Sequence, residues 1–204
     1  MVEIHGDVYF KYMEERSFIY KLFSRITKFT LKEATKIRSL SSSMNDMLKK
    51  FGLAQNIVIV PNRVNLQLFK SNKNSYDLST PIKIISIGRF VEQKGYDIAI
   101  NAIKQLSIKY NIELYLIGGG ALYEKYESLS EGYKNIKIIK WIEQRELRIL
   151  LEQTDIYIQP SKPYLGEAMP RTILEAMAMK LPIVSTNIAA IPGILNETNS
   201  ILIN

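Results

Sequence analysis

From Pro81 to Ser185 the chain repeats one pattern, and no other feature restricts its fold as strongly. Short apolar runs recur at Ile82-Lys-Ile-Ile-Ser-Ile87, Glu113-Leu-Tyr-Leu-Ile117, Ile136-Lys-Ile-Ile139, Asp155-Ile-Tyr-Ile158 and Ile183-Val184. Between them helices are expected over residues 96–110, in a stretch ending near residue 130, over residues 144–153, and in the stretch before Lys180. Strands alternating with helices of this length predict βαβ units, hence an α/β fold with a parallel sheet and helices on both faces. Open sheets of this kind bind ligands beyond the carboxyl ends of their strands. The loops after the apolar runs are therefore where chemistry is expected.

One such loop runs into Glu167-Ala-Met-Pro-Arg-Thr-Ile-Leu-Glu175-Ala-Met-Ala-Met-Lys180, after Gln159-Pro160-Ser161. Glu167 falls in the loop. Glu175 lies eight residues on, a little over two helical turns, so it projects from the following helix on a similar side. A ligand across the helix start would meet both carboxylates and the free N–H groups of the first turn. Those N–H groups and the helix dipole favour phosphate, whereas carboxylates accept hydrogen bonds from sugar hydroxyls. A phosphate beside two carboxylates points to a nucleotide sugar. The alternative is two acids on the solvated face of an amphipathic helix.

Gly88-Arg89-Phe90-Val91-Glu92-Gln93-Lys94-Gly95 follows the first strand of the series. Glycine permits close backbone approach to a ligand, and Arg89 and Lys94, five residues apart, can clamp a diphosphate. A solvated basic loop is the competing reading. Gly118-Gly119-Gly120 also follows a strand, but it lacks the full G-x-G-x-x-G spacing, and glycines there are often only turns. His5 is the single imidazole, at the end of a short strand over residues 1–7, and core or surface filler is the simpler reading of it.

Before Pro81 the order is looser. A helical stretch over residues 8–36 places Phe10, Phe18, Leu22, Phe23, Ile26 and Leu31 on an apolar face, with Lys11, Arg16, Lys21, Arg25, Lys28 and Lys32 opposite. A strand is expected from Ile37 to Ser41, a helix capped by Ser42 or Ser43 and ended by Gly52, then a buried strand Ile57-Val-Ile-Val60. Residues 71–80 have almost no apolar content and read as an interdomain linker, separating domains at 1–70 and 81–204.

Composition excludes several classes. There is no cysteine, hence no disulfide and no thiolate metal site, which fits a cytoplasmic protein. One histidine rules out a multi-histidine metal site within the chain. No apolar run approaches the ~18 residues that span a bilayer. The net charge of +7 suits a nucleoside diphosphate, an anionic lipid surface or nucleic acid. No zinc-finger spacing, RNP-like strand or compact basic run supports nucleic acid. There is no Asp-x-Asp, so no metal cofactor is expected.

The E-x₇-E spacing around Ala-Met-Pro-Arg, followed by Glu175-Ala-Met-Ala and Leu181-Pro-Ile-Val184, resembles the glycosyltransferases group 1 family, retaining enzymes of the GT-B fold. Gly88-Arg89 with Lys94-Gly95 is similar to the family's Gly-Arg…Lys-Gly loop. Pro61-Asn62-Arg63-Val64-Asn65 resembles its Pro-Asn-Gly-Val-Asp, with Arg63 and Asn65 substituted. The resemblance implies transfer of a sugar from a nucleoside diphosphate sugar to an acceptor hydroxyl with retention, in polysaccharide, glycolipid or glycoprotein synthesis.

By that match Arg89 and Lys94 stabilise the leaving diphosphate, Glu167 meets the donor sugar and Glu175 the ribose hydroxyls. Gly88, Gly118, Gly119 and the amides of Ala168, Met169 and Arg171 line the donor; Pro170 has no N–H to give. His5 matches a family histidine near the donor sugar. The family's opening strand and Gly-rich loop have no counterpart. Its Gly-Gly and Pro-Glu after Val184 give way to Ala189-Ala190-Ile191-Pro192-Gly193.

The expectation is a shortened member: an incomplete N-terminal Rossmann-like domain and most of a C-terminal one. Three functions follow: a catalytic unit completed by a partner chain, a non-catalytic nucleotide-sugar-binding remnant, or a GT-B sugar-nucleotide epimerase. Acceptor saccharides or lipid-linked glycans are the expected partners. The basic helix would allow a peripheral contact at the inner membrane face.

Overall fold

The computed structural model describes residues 2–3, 18–50, 52–53, 56–73, 78–163 and 169–204. The chain divides into two compact units. One comprises Met1–Asn62, Pro163–Pro170 and Ile188–Ile194, the other Arg63–Lys162, Arg171–Asn187 and Leu195–Asn204.

In the first unit, β1 (Val2–Glu3), β2 (Ile37–Ser39) and β3 (Ile57–Ile59) pair in parallel in the order β1-β2-β3. Helix α1 (Phe18–Glu33) and helix α2 (Ser42–Lys50) accompany this sheet. The α2 cap differs from expectation. Ser41 provides it, its Oγ accepting from the Met44 N–H at 3.2 Å, so Ser42 already lies inside the helix. The other end is as expected: Gly52 adopts φ 76, and Leu53 N–H returns to Leu48 O at 3.0 Å.

One prediction of burial fails here. β3 is not buried, because it is the sheet's edge and exposes Val58 and Ile59. On α1 Leu31 is buried, but Leu22, Phe23 and Ile26 are exposed, and Phe29 beside them is 67% exposed.

The second unit carries the alternation. Strands β4 (Ile82–Ile87), β5 (Ile112–Ile117), β6 (Ile136–Ile139), β7 (Ile156–Gln159), β8 (Ile183–Thr186) and β9 (Ile201–Ile203) pair in parallel in the order β6-β5-β4-β7-β8-β9. Helices α3 (Tyr96–Leu106), α4 (Tyr123–Ser130), α5 (Gln144–Glu152) and α6 (Arg171–Ala178) intervene. The strand bounds agree with the apolar runs to within about two residues, the usual scatter of element ends. α3 stops at Leu106, short of residue 110, and the hydroxyl of Ser107 at its end bonds Ile103 O at 2.6 Å. The next amides bond three residues back, Ile108 to Gln105 and Lys109 to Leu106.

One core layer packs Ile84, Leu114 and Leu116 of the sheet against Ile100, Ile103 and Tyr126. Residues 69–72, which run into the predicted linker, also pack on this unit. Phe69 is buried, Arg148 donates to Lys70 O, and Ser71 and the Asn72 amide donate to Glu152. Asn65 takes the aspartate's place without losing the turn: its Oδ1 accepts from the Gln67 and Leu68 amides.

This strand order sets the position of the site. The chain moves outward from β4 to β5 and β6, then returns to place β7 on the other side of β4. The loops leaving β4 and β7 therefore diverge, and the crevice beyond their carboxyl ends is the switch point at which open α/β sheets take ligands.

Candidate functional site

The loop after β4 carries Gly88, Arg89 and Lys94. Gly88 matters for space: a β-carbon there would meet Tyr96 Oη at 2.7 Å and Lys94 Cε at 3.3 Å. The aliphatic stem of Lys94 thus lies across the backbone of Gly88, and Lys94 is buried, although Arg89 is exposed. A short 3-10 turn (Glu92–Lys94) closes on Gly95, which takes the left-handed conformation and starts α3.

Beneath the loop Phe90 is fully buried, edge-on to Tyr96 and Tyr126 and stacked on Tyr123. Burial pushes the Tyr126 hydroxyl up to about 12, with Asp97 and Glu92 adding to it.

The glycines after β5 serve this packing. Gly118 at φ 154 has room for no side chain, since a β-carbon would lie 1.9 Å from Gly88 O. The two loops are also laced by hydrogen bonds, Gly88 N–H to Ile117 O and Phe90 N–H to Gly119 O. Over Gly119 lies Trp141, its indole Nε1 3.3 Å from the would-be β-carbon and the residue 57% exposed.

Across the switch point the end of β7 is tied down by a buried polar chain. Tyr157 Oη donates to Gln159 Oε1 at 2.8 Å and pairs with the Thr172 hydroxyl at 2.7 Å. Gln159 Nε2 donates to Ser161 Oγ at 2.7 Å, and Thr186 Oγ1 donates to Ser161 O at 2.8 Å. Thr172 is in the first turn of α6, so this chain fixes where the helix begins. Arg171 opens the helix exposed. Glu175 is buried at 8% exposure. Burial raises its pKa, and the nearby Arg171 charge opposes that rise. Met169 is buried in the first unit, where its carbonyl accepts from Asn62 Nδ2 at 2.7 Å. Glu167, Ala168 and His5 lie outside the described residues.

Lys162, Glu92, Asp97 and Trp141 were not singled out by the sequence. Lys162 is buried and forms ion pairs with Glu92 and with Asp97 Oδ2, the latter at 3.0 Å. Its hydrogen bond to Glu92 raises its pKa, as does Asp97. Partners 65 and 70 residues away leave no local signal. Trp141 did carry one, as the only tryptophan in the chain. No helix among the described residues is long and apolar enough to cross a membrane.

Known proteins resemble this arrangement. The chain is 26% identical over 155 residues to an uncharacterized 41.2 kDa protein in the cps region of Klebsiella pneumoniae, a match covering 72% of this chain and 41% of that one. It is 30% identical over 149 residues to the amylovoran biosynthesis glycosyltransferase AmsK of Erwinia amylovora, covering 70% and 35%. With the GPI3 subunit of the phosphatidylinositol N-acetylglucosaminyltransferase of Saccharomyces cerevisiae it shares 27% identity over 186 residues, covering 84% and 40%. The chain thus spans about two fifths or less of the length of these relatives.

Among solved structures, Anabaena HepE in complex with UDP and glucose superposes with a TM-score of 0.79 at 16% identity, covering 100% of this chain and 57% of that one. Sucrose-phosphate synthase from Thermosynechococcus elongatus gives 0.78 at 19%, covering 98% and 53%. Both show the fold, a partial GT-B architecture. The model of the glycosyl transferases group 1 matches residues 69–203, and the chain belongs to that family.

Proposed function

We propose that the second unit binds a nucleoside diphosphate sugar at the β4/β7 switch point and supports transfer of its sugar to an acceptor hydroxyl with retention. The observation that carries this reading is the convergence of three features on one end of the sheet. These are a lysine laid over the glycine that follows β4, an α6 start fixed by a buried polar chain, and a buried acid within two turns of that start. HepE was crystallised with UDP and glucose, and a uridine diphosphate sugar is accordingly the first donor to test.

As the bond from the anomeric carbon to the diphosphate breaks, its electron pair leaves with the phosphate oxygen. Arg89 and Lys94 offset that growing charge, together with the amides that open α6. Ion pairing of Glu92 and Asp97 with Lys162 keeps their charges from opposing this. Glu175 accepts from the ribose hydroxyls, and Glu167 meets the sugar. Gly118, Gly119 and the exposed indole of Trp141 lie along the nucleoside. The acceptor oxygen then bonds to the anomeric carbon on the same face and gives its proton to the departing diphosphate oxygen.

Polysaccharide or glycolipid synthesis is the setting that the names of the relatives support. A peripheral contact with an anionic membrane suits α1, where exposed Leu22, Phe23, Ile26 and Phe29 accompany Arg25 and Lys32.

The test is calorimetric titration of the 204-residue chain with UDP and UDP-sugars, alongside Glu175→Ala and Arg89→Ala. Saturable binding weakened by both substitutions supports the site. A folded chain that binds no nucleotide overturns it. Binding without transfer, even with an added partner chain, would leave a nucleotide-sugar-binding protein.

A further inference from the structure

Lys162 is the first residue beyond the buried chain that ends β7, and it reaches across the switch point. Its ammonium pairs with Glu92, two residues before Lys94 in the opposite loop, and with Asp97 in the first turn of α3. Its backbone N–H donates to Gln93 O at 2.9 Å. The residue is 8% exposed, and its Cγ is 3.5 Å from the would-be β-carbon of Gly95. Three contacts thus join the loop carrying Lys94 to the segment leading towards α6.

We infer that Lys162 is a positioning residue: it fixes the separation of the Lys94 loop and the α6 start, so that both meet the same diphosphate. The inference rests on the donor-site reading above.

The chemistry of the pair of loops favours this over a passive ion pair. Glu92 and Asp97 bring two negative charges beside Lys94; Lys125 pairs with Glu92 alone, at 3.6 Å, whereas Lys162 meets both. Asp97 Oδ1 is buried with no hydrogen-bond partner among the described residues, so Asp97 depends on Oδ2 and hence on Lys162. Loss of Lys162 would remove the ion-pair partner of this partly exposed carboxylate while its Oδ1 stays buried, and the turn leading into α3 would shift to hydrate it. The polar chain of Gln159, Ser161 and Thr186 holds the Lys162 side of this contact. The compliant partner is therefore the loop after β4.

The test compares the unaltered chain with Lys162→Met, Lys162→Arg, Glu92→Gln and Asp155→Asn. The last is a control at the opposite end of the sheet, where Asp155 accepts from the Lys83 amide and Ser79. Two readouts are taken below the melting point of every variant: the Kd for UDP, and amide hydrogen exchange.

Lys162→Met is expected to weaken UDP about ten- to a hundredfold, the equivalent of one charge-assisted hydrogen bond to the diphosphate. Lys162→Arg should recover most of that loss, Glu92→Gln should fall between, and Asp155→Asn should leave the affinity unchanged. Exchange should quicken at the Lys94 and Gly95 amides in Lys162→Met but not within α3.

Unchanged UDP affinity in Lys162→Met overturns the inference, as does a loss equalled by Asp155→Asn. If the unaltered chain binds no UDP, the donor-site reading falls by itself. Exchange at Lys94 and Gly95 then decides the loop contact, and unchanged rates there overturn it.

Discussion

The carbonyl oxygen of Pro160 lies 2.0 Å from where a β-carbon on Gly95 would stand. No side chain tolerates that distance, and Gly95 also holds φ 63, a conformation that disfavours one. The glycine of the Lys-Gly pair is therefore required by the β7 side of the switch point as well as by the turn.

Gly95→Ala must either strain its backbone or push the β4 and β7 loops apart. It should lose about 2–4 kcal/mol of stability, from left-handed strain plus overpacking. Urea unfolding measures this. A loss below about 0.5 kcal/mol, typical of surface changes, would mean the loops are not in this contact.

Trp141 gives the site a built-in reporter, because it is the single tryptophan. Its indole lies against Gly119 and its remaining surface is open. If a nucleobase stacks there, UDP should quench its emission, whereas inorganic pyrophosphate at saturation should not. Trp141→Ala should weaken UDP by about 1–3 kcal/mol, the usual contribution of a base stacked on an aromatic ring. Equal quenching by both ligands would place the base elsewhere.

α6 ends on a residue poorly suited to the task. Lys180 adopts φ 57, its N–H bonds Met177 O at 2.9 Å, and Leu181 N–H returns to Ala176 O at 3.0 Å. That is the six-to-one closure in which glycine normally holds the left-handed position. Lys180→Gly should therefore raise stability by about 0.5–1 kcal/mol without changing UDP affinity. Thermal unfolding at fixed pH tests it; a lower melting temperature would show that contacts of the lysine outweigh its strain.

Legibility followed sequence distance. β4 and β6 could be bounded to the residue, because an isoleucine-rich run has few alternatives. The Gly88–Gly95 loop could be read for chemistry because its glycines and cations are contiguous. The aromatic packing of Phe90, Tyr96 and Tyr126 beneath it could not, since those rings meet only after α3 and α4 fold back. Lys162 was hidden for the same reason. β3 misled because an apolar run of its kind looks the same at a sheet's edge as at its centre. Ser41 was passed over as a cap because three consecutive serines offer no local criterion for which one turns its hydroxyl to the helix.

Glu175 should show opposite effects on stability and binding. Burial raises its carboxyl pKa in the folded chain, against a weaker lowering by Arg171. A carboxyl with a raised folded pKa contributes its stability below the unfolded value. That contribution is lost as pH climbs through the raised one. The unaltered chain should thus lose stability relative to Glu175→Gln as pH rises from the ordinary carboxylate range through the raised folded value, the difference levelling off once the folded carboxyl has ionised.

Binding runs the other way. Ribose hydroxyls donate to the ionised form, so UDP affinity of the unaltered chain should rise over the same range relative to that of Glu175→Gln, a ratio in which the titration of the UDP phosphate itself cancels. At the upper end the substitution should weaken UDP roughly ten- to a hundredfold, from the 1.5–3 kcal/mol of a hydrogen bond to a charged group. A variant that is more stable yet binds less is the signature of a group kept in an unfavourable place for its ligand. Parallel melts and titrations across the pH range would check both slopes. Loss of stability at every pH with unchanged UDP affinity would instead make Glu175 a structural residue of α6.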